Sequence, residues 1–447
     1  MGFKLLSFRG GIFPLQHRHH GKHLSEGQPI RKAVVPSSVT IPLSQHIGAP
    51  CRPIVKVGDT VKVGQKIGEP EGYVSAPIHS SISGKVIAIE PRIHPLGQTV
   101  LSVVIENDGL DERMDPIPGH GDIDQLTPQD IKNIITEAGI VGLGGAAFPT
   151  YVKLSPPDGK KIDTVILNGA ECEPYLTADH RLMLEQPKDI IYGLKAIMKA
   201  LGVEKAFIAI EDNKLDAVEA MSQAAAKDEN IKVVTLKTKY PQGAEKQLID
   251  AVIGRQVPSG GLPMDVGAVV NNVGTSAAVY KAVRYGQPLF ERIVTITGEG
   301  IVNPANLLVR IGTSFKELIE QCGGFKGEPK KVIMGGPMMG MAQHSIDVPV
   351  IKGTSGILVL SPEDARLPDP KPCIRCGRCV EACPIHLLPL YISAFALEGQ
   401  MEQAEKYNAL DCIECGSCSY ICPSKRPLLQ SIRVAKNEIA ARQKKSS

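Results

Sequence analysis

The sequence predicts a multidomain chain of mixed α/β and α+β class, and three observations predict it. Strand-like and helix-like runs alternate from about Gln125 to Gly286, short runs of alternating polarity broken by glycine fill Arg31 to Asp108, and two closely spaced cysteine sets crowd the C-terminal part. At 447 residues the chain also exceeds what one hydrophobic core usually serves.

Composition narrows the function classes. With 43% hydrophobic and 22% charged residues and a net charge of +3, no global excess draws the chain to nucleic acid. Aromatic residues make up only 4% and tryptophan is absent, which argues against base-stacking platforms and membrane aromatic belts. No run of about 18 apolar residues appears, so no transmembrane helix is expected. The opening Met1 to Gly10 has too short an apolar run for a signal peptide. A soluble or peripheral protein of a reducing compartment is expected, since most cysteines are spaced as ligands rather than as a disulfide framework.

Residues 1–30, with His17, His19, His20 and His23, read as a solvated basic arm, because no ordered carboxylate or cysteine accompanies the histidines. Residues 31–115 read as a small antiparallel β module: the run from Ile54 to Gly68 alternates and turns at glycines. With Ser75-Ala76-Pro77 and Ser83-Gly84-Lys85-Val86, it resembles the barrel-sandwich fold of biotinyl and lipoyl carrier domains. Those carriers need a lysine ahead of the Ala-Pro, and none lies between Lys66 and Lys85, so docking or packing is expected rather than covalent carriage.

Within 120–289, strands over 164–167, 206–210 and 231–236 alternate with helices over 187–200 and 214–226. This predicts a Rossmann-like parallel α/β sheet with ligands at its strand ends. Residues 290–360 read as a small α+β domain with a helix over 314–321, residues 361–372 as a proline-rich linker, and 373–447 as a cysteine-rich unit. Its basic tail, Arg433, Lys436, Arg442, Lys444 and Lys445, reads as a solvated helix end.

The cysteines carry the strongest signal. Cys373, Cys376, Cys379 and Cys383-Pro384 repeat as Cys412, Cys415, Cys418 and Cys422-Pro423, each matching the two-cluster ferredoxin run C-x₂-C-x₂-C-x₃-C-P. Three thiolates on a tight loop reach three irons of one cubane, while the fourth points to its neighbour. Cys373, Cys376 and Cys379 therefore pair with Cys422, and Cys412, Cys415 and Cys418 with Cys383, around two [4Fe–4S] clusters. Zinc is the rival, but its motifs come as separated CxxC pairs, and it does not require the turn glycines Gly377 and Gly416. Cys51, Cys172 and Cys322 are isolated and read as buried small residues.

A second set of residues is suggestive only in company. Gly142, Gly144 and Gly145 form a glycine-rich turn ahead of Phe148 and Lys153, which brings backbone N–H groups close to a phosphate or ring as readily as it makes a plain turn. Asn168, Glu171 and Glu173 end a strand; Gly243 and Glu245 precede a helix; Asn271, Asn272 and Thr275 follow another strand-like run.

Those motifs, in that order, resemble the FMN- and NADH-binding subunit of respiratory complex I. Gly10 to Pro14, the run from Ile41 to Pro50, Val257 to Pro263 and the doubled cysteine motif resemble the RnfC family of the Rnf electron-transport complex more closely, over nearly the whole chain. The domain order, barrel-sandwich first and clusters last, also fits that family better than the related cobalamin reductase. The resemblance implies that Gly142, Gly144, Gly145, Lys153, Asn168, Glu171, Gly243, Asn271, Asn272 and Thr275 hold FMN. It implies that Phe148, Glu173 and Glu245 contact NADH, and that the α+β domain is a β-grasp of the SLBB type before a helical ferredoxin-like domain. Leu143, Ala170 and Ala244 depart from the complex I pattern.

The function implied is electron transfer between NAD(H) and two [4Fe–4S] clusters through non-covalent FMN, linking ferredoxin and NAD pools. The chain would act as a peripheral subunit on the cytoplasmic side of the cell membrane, with integral membrane and iron–sulfur subunits as partners and ferredoxin reached indirectly. The alternatives are a soluble NADH-dependent reductase of an acceptor such as cobalamin, and a non-enzymatic iron–sulfur relay adaptor.

Overall fold

A computed structural model of the chain describes residues 5–13, 19–366 and 368–446, without the side chains of 19–20 and 444–446. Ser38–Pro42, Thr99–Asn107, Gly84–Ile93 and Thr60–Val61 form an antiparallel sheet in that order, beside a smaller one of Cys51–Pro53, Lys66–Pro70 and Ile78–His79. Val39, Ile41, Val61, Ile67, Ile78, Val86, Val103 and Ile105 form their shared core. Burying each such aliphatic contributes roughly 1.5–3 kcal/mol.

The α/β unit is a parallel sheet ordered Ile231–Leu236, Ala206–Glu211, Thr164–Gly169, Ala268–Asn272. From the third of these the chain first crosses to one side and later returns on the other, so its C-terminal end is a topological switch point. Helix Pro187–Leu201 starts with proline in its first turn and stops at Gly202, which takes the left-handed φ of 66°. It packs closely on helix Val273–Tyr285 at Gly193, where a Cβ would lie 1.8 Å from the Ser276 carbonyl oxygen.

A mixed sheet follows, ordered Ile30–Lys32, Ala305–Arg310, Glu291–Thr297, Gly356–Leu360, Lys331–Met334, Met341–Ala342. Its helix Phe315–Gln321 is launched by a capping box between Ser314 and Glu317. Helices Pro389–Leu397, Met401–Lys406 and Leu428–Ser446, with short helical turns Arg378–Glu381 and Ser417–Ile421, make the C-terminal unit. Among the described residues, no helix is long and apolar enough to cross a membrane.

Two expectations are corrected. The described part of the first thirty residues is not a solvated arm: Leu6 bridges to Leu236, Ile12 to Tyr240, and Ile30–Lys32 becomes an edge strand of the mixed sheet. Lys22 is buried. Single apolar residues spaced along a polar segment escape a search for apolar runs, and tertiary partners decide their burial. His17 lies outside the described residues, as do the side chains of His19 and His20. In the tail, Arg433 and Lys436 are bound to Glu414 at 2.9 and 2.7 Å rather than solvated. The side chains of Lys444 and Lys445 lie outside the description.

Candidate functional site

Asn168 and Asn272 stand opposite each other in register at the ends of adjacent parallel strands, on the switch point. A cleft opens there. Of the residues expected from sequence, Gly144, Asn168, Glu171, Glu173, Gly243 and Asn272 line it, joined by Leu143, Cys172, Asp179, Arg292 and Ser355. Gly142 N–H donates to Phe148 O at 2.8 Å and Ala147 N–H to Gly142 O at 3.1 Å, which closes the glycine turn. The amides of Gly144, Gly145 and Ala146, at the exposed tip, meet no acceptor among the described residues. Gly145 holds a φ of 110° that a side chain would strain.

The turn is fastened from behind by buried Thr275, whose hydroxyl accepts from Leu143 N–H at 2.9 Å. Asn272 caps helix Val273–Tyr285 by accepting from Gly274 N–H, and it donates to Asp179 at 2.6 Å. Asn168 donates to Gly243 O at 2.8 Å, tying two cleft walls together. Asn271 is 4% exposed and its amide nitrogen has no partner. Backbone amides presented by a glycine-rich turn at a sheet switch point fit a ligand that carries a phosphate, as FMN does.

The charges of the cleft are mostly committed. Glu171, at the positive φ of 45°, accepts from the amides of Asp179 and His180 at 2.8 and 3.2 Å, neutralising the start of helix Ala178–Glu185. Glu173 accepts from the amides of Met338 and Met339 at 3.1 and 2.8 Å. Burial pushes it up to about 7 against those donors. Asp179 is likewise pushed up to about 7, by burial and then by Glu171. Arg292, lowered to about 10 by burial, donates to Leu143 O at 3.2 Å and so supports the glycine turn from the mixed sheet.

Lys22, which belongs to no motif, is a further buried support. Its ammonium donates to the carbonyls of Glu171, Glu173 and Leu176 at 2.8, 3.0 and 2.5 Å and lies 4.0 Å from the Glu171 carboxylate. Burial lowers its pKa, and Glu171 opposes that shift.

Other expected residues stand beside the cleft. Lys153 pairs with Glu245 at 2.8 Å and donates to Val270 O, so these two satisfy each other. Phe148 is half-buried behind the turn. None of the three is among the cleft-lining residues, nor are Gly142, Gly145, Asn271 and Thr275.

The cysteines gather into two cavities. Cys373, Cys376 and Cys379 meet Cys422 around one, and Cys412, Cys415 and Cys418 meet Cys383 around the other. The two loops repeat one backbone: Arg375 and Glu414 take φ of 54° and 59°, and Gly377 and Gly416 both 76°. Zinc wants four thiolates within about 2.3 Å of one ion. Among the described residues no three Cys, His, Asp or Glu side chains are gathered tightly enough to hold a single ion. Four cysteines line each cavity, the number of thiolates a [4Fe–4S] cluster takes. Burial pushes the Cys412 thiol up to about 11 and the Cys418 thiol up to about 12.

Cleft and second cavity share a wall. Tyr240 hydroxyl donates to Cys415 O at 2.8 Å, Gln247 donates to Pro384 O at 3.2 Å, and Cys172, Tyr240, Met338 and Cys415 belong to one apolar cluster. Met338, whose amide holds Glu173, sets its carbonyl 3.4 Å from where a Gly416 Cβ would be. The first cavity lies farther out, with Cys373 and Cys376 exposed.

Known proteins match this layout segment by segment. Residues 6–110 match the RnfC barrel sandwich hybrid domain, 135–281 the Nuo51 FMN-binding domain, 293–342 the SLBB domain and 367–423 the 4Fe-4S dicluster domain. The chain is 54% identical, over all of both chains, to a subunit of the Na(+)-translocating ferredoxin:NAD(+) oxidoreductase complex of Acetobacterium woodii. It is 53% identical to the counterpart in the proton-translocating complex of Clostridium ljungdahlii, covering 97% of this chain and 94% of that one. With the counterpart in the ion-translocating oxidoreductase complex of Rhodobacter capsulatus it shares 44%, over 98% and 84% of the two chains. Among solved structures, a chain of an NAD+-reducing [NiFe]-hydrogenase superimposes with a TM-score of 0.50 at 18% identity. That superposition covers 74% of this chain and 66% of that one, and it shows a shared fold.

Proposed function

The chain belongs to the RnfC family, whose members are subunits of ion-translocating ferredoxin:NAD(+) oxidoreductase complexes, and from that premise we propose how its own residues carry out electron transfer. FMN supplies the change between a nicotinamide's electron pair and single electrons, which two [4Fe–4S] clusters then carry. Gly144, Gly145 and Ala146 would offer amides to the FMN phosphate, with Asn168, Asn271 and Asn272 directing donors at its remaining polar edge. Thr275 and Arg292 hold the turn in place, and Lys22 holds the Glu171–Glu173 turn. Glu173, at about 7, can accept or release a proton beside a nicotinamide at neutral pH. Lys153 and Glu245, paired beside the cleft, would be separated by a charged ligand that reaches them.

The observation that carries this reading is the shared wall: Glu173 in the cleft is held by Met338, which also abuts the cavity of Cys383, Cys412, Cys415 and Cys418. With clusters held by Cys383, Cys412, Cys415 and Cys418 and by Cys373, Cys376, Cys379 and Cys422, the first set would lie next to the cleft and the second beyond it. NADH is the nicotinamide expected. The relatives are named as subunits of translocating complexes, which supports docking on other subunits; the partners proposed are integral membrane and iron–sulfur subunits, at the cytoplasmic face. Full-length matches to members of such complexes favour this over a free-standing cobalamin-type reductase or a relay adaptor.

The test is an anaerobic NADH titration of reconstituted full-length protein holding about eight irons per chain. Flavin bleaching followed by cluster reduction is expected. Protein that holds its iron but recruits no flavin would overturn the reading.

A further inference from the structure

The two cysteine cavities differ in what surrounds them. Around the inner one the lining is apolar: Ile385, Leu387, Ile413, Leu429 and Ile432, with no charged side chain. The nearby cations Arg433 and Lys436 are both spent on Glu414. Around the outer one, Arg375 and Arg426 line the cavity itself. Lys371 is fastened beside it, its amide donating to Ser424 O at 2.8 Å, and Ser424 is in the lining. Arg378 follows the lining residue Gly377, and Lys425 follows Ser424.

Lys371, Arg375, Arg378 and Lys425 are exposed and Arg426 is half-exposed, and none forms an ion pair among the described residues. Only Asp369 and Glu381 oppose them within the same segments. Ile374, 67% exposed, adds an apolar contact at the cavity mouth. Unpaired cations crowded around an exposed electron-transfer site produce a local field on a chain whose net charge is only +3.

Resting on the function proposed above, we infer that this face is the docking surface for an acidic one-electron carrier, a protein or subunit whose own iron–sulfur cluster sits behind carboxylates. Charge complementarity argues for that occupant: opposite potentials raise the encounter rate, and Ile374 supplies dry contact over the cluster. A lipid surface fits less well, because anionic headgroups over the cavity would cover the route by which electrons enter or leave. The step is an outer-sphere transfer: one reduced cluster loses an electron, the facing cluster gains it, and no bond forms or breaks.

The experiment uses full-length holoprotein and a dithionite-reduced acidic 2[4Fe–4S] ferredoxin as the probe, with cluster reduction followed by stopped flow. For the wild type, the second-order rate should fall at least about tenfold between about 0.02 and about 0.5 M salt. The triple variant Lys371→Gln, Arg378→Gln, Lys425→Gln leaves the cavity-lining arginines intact. Its low-salt rate should be at least about tenfold slower with most of the salt dependence gone, while NADH still bleaches the flavin at the wild-type rate. Transfer from the NADH-reduced protein to basic cytochrome c should not slow.

A wild-type ferredoxin rate indifferent to salt overturns the inference whether or not the variant keeps its clusters. So do substitutions that release holoprotein from phosphatidylglycerol vesicles but leave the ferredoxin rate within about twofold of wild type. Failure of the flavin reading would look different: NADH would leave the wild type unreduced while ferredoxin still reduced the clusters.

Discussion

At the scale of single residues, the cleft is governed by buried charge that must be satisfied. Lys22 reaches three carbonyls of the turn that carries Glu171 and Glu173, and each unpaired buried carbonyl costs about 1–3 kcal/mol. Lys22→Met should therefore weaken FMN binding by about tenfold or more, read by flavin fluorescence titration, with iron content unchanged. Arginine should not rescue it, because a planar fork cannot take the place of one tetrahedral ammonium among three carbonyls.

Glu173 makes a prediction in pH. Its folded pKa of about 7 stands above the ordinary carboxyl value of 4.5, so between these values the folded state binds more protons than the unfolded one. Its contribution to stability is then greatest in acid and declines as pH rises from about 4.5 to about 7, with no further change above. Glu173→Gln should flatten that decline in thermal midpoint across the same window. If the variant keeps the wild-type slope, the titrating group is another.

At the scale of elements, two close approaches position the site. Helix Pro187–Leu201 can press on helix Val273–Tyr285, which carries Thr275, only because Gly193 has no side chain. Gly193→Ala should cost about 3 kcal/mol by overpacking and lower the unfolding midpoint in urea. The second is Gly336 in the mixed-sheet unit, where a Cβ would lie 2.3 Å from a Glu173 carboxylate oxygen and 2.8 Å from its Cβ. Gly336→Ala should displace Glu173 and slow NADH-driven flavin reduction about tenfold or more, while the clusters remain intact by visible absorption.

For the molecule as a whole, the proposed order along the electron path rests on which cavity shares a wall with the cleft. Cys376→Ser should remove the outer cluster's paramagnetic signal and leave flavin and inner cluster reducible by NADH. Cys418→Ser should leave flavin reducible yet slow the outer cluster's reduction by orders of magnitude, because the intervening carrier is gone. Rapid-freeze paramagnetic resonance separates the two. Equal effects of both substitutions on the outer signal would contradict a linear order.

Local signals were legible in the sequence. The spacing of Cys373 to Cys383 and of Cys412 to Cys422 constrains a loop within a few residues, and the runs at 206–210 and 231–236 carry their own periodicity. Asn168 and Asn272 could be read because they end strands, where a parallel sheet exposes its ligand edge. Lys22, Asp179, Arg292 and Cys172 could not, for each reaches the cleft or its supporting turn through a partner remote in sequence or through a turn whose direction no local pattern sets.

By itself, then, the sequence determined the chemistry: thiolates spaced for iron, glycines and amides suited to a phosphate, and the alternation that builds a parallel sheet. Tertiary structure decided the wiring. It set Lys22 beneath the turn that carries Glu171 and Glu173, tied Glu173 to Met338 rather than leaving it free, paired Lys153 with Glu245, and set one cluster cavity inside and the other on a cationic face. Local spacing sets what a short segment can bind, whereas burial and distance between remote segments exist only after the domains have packed, and these choose which groups meet.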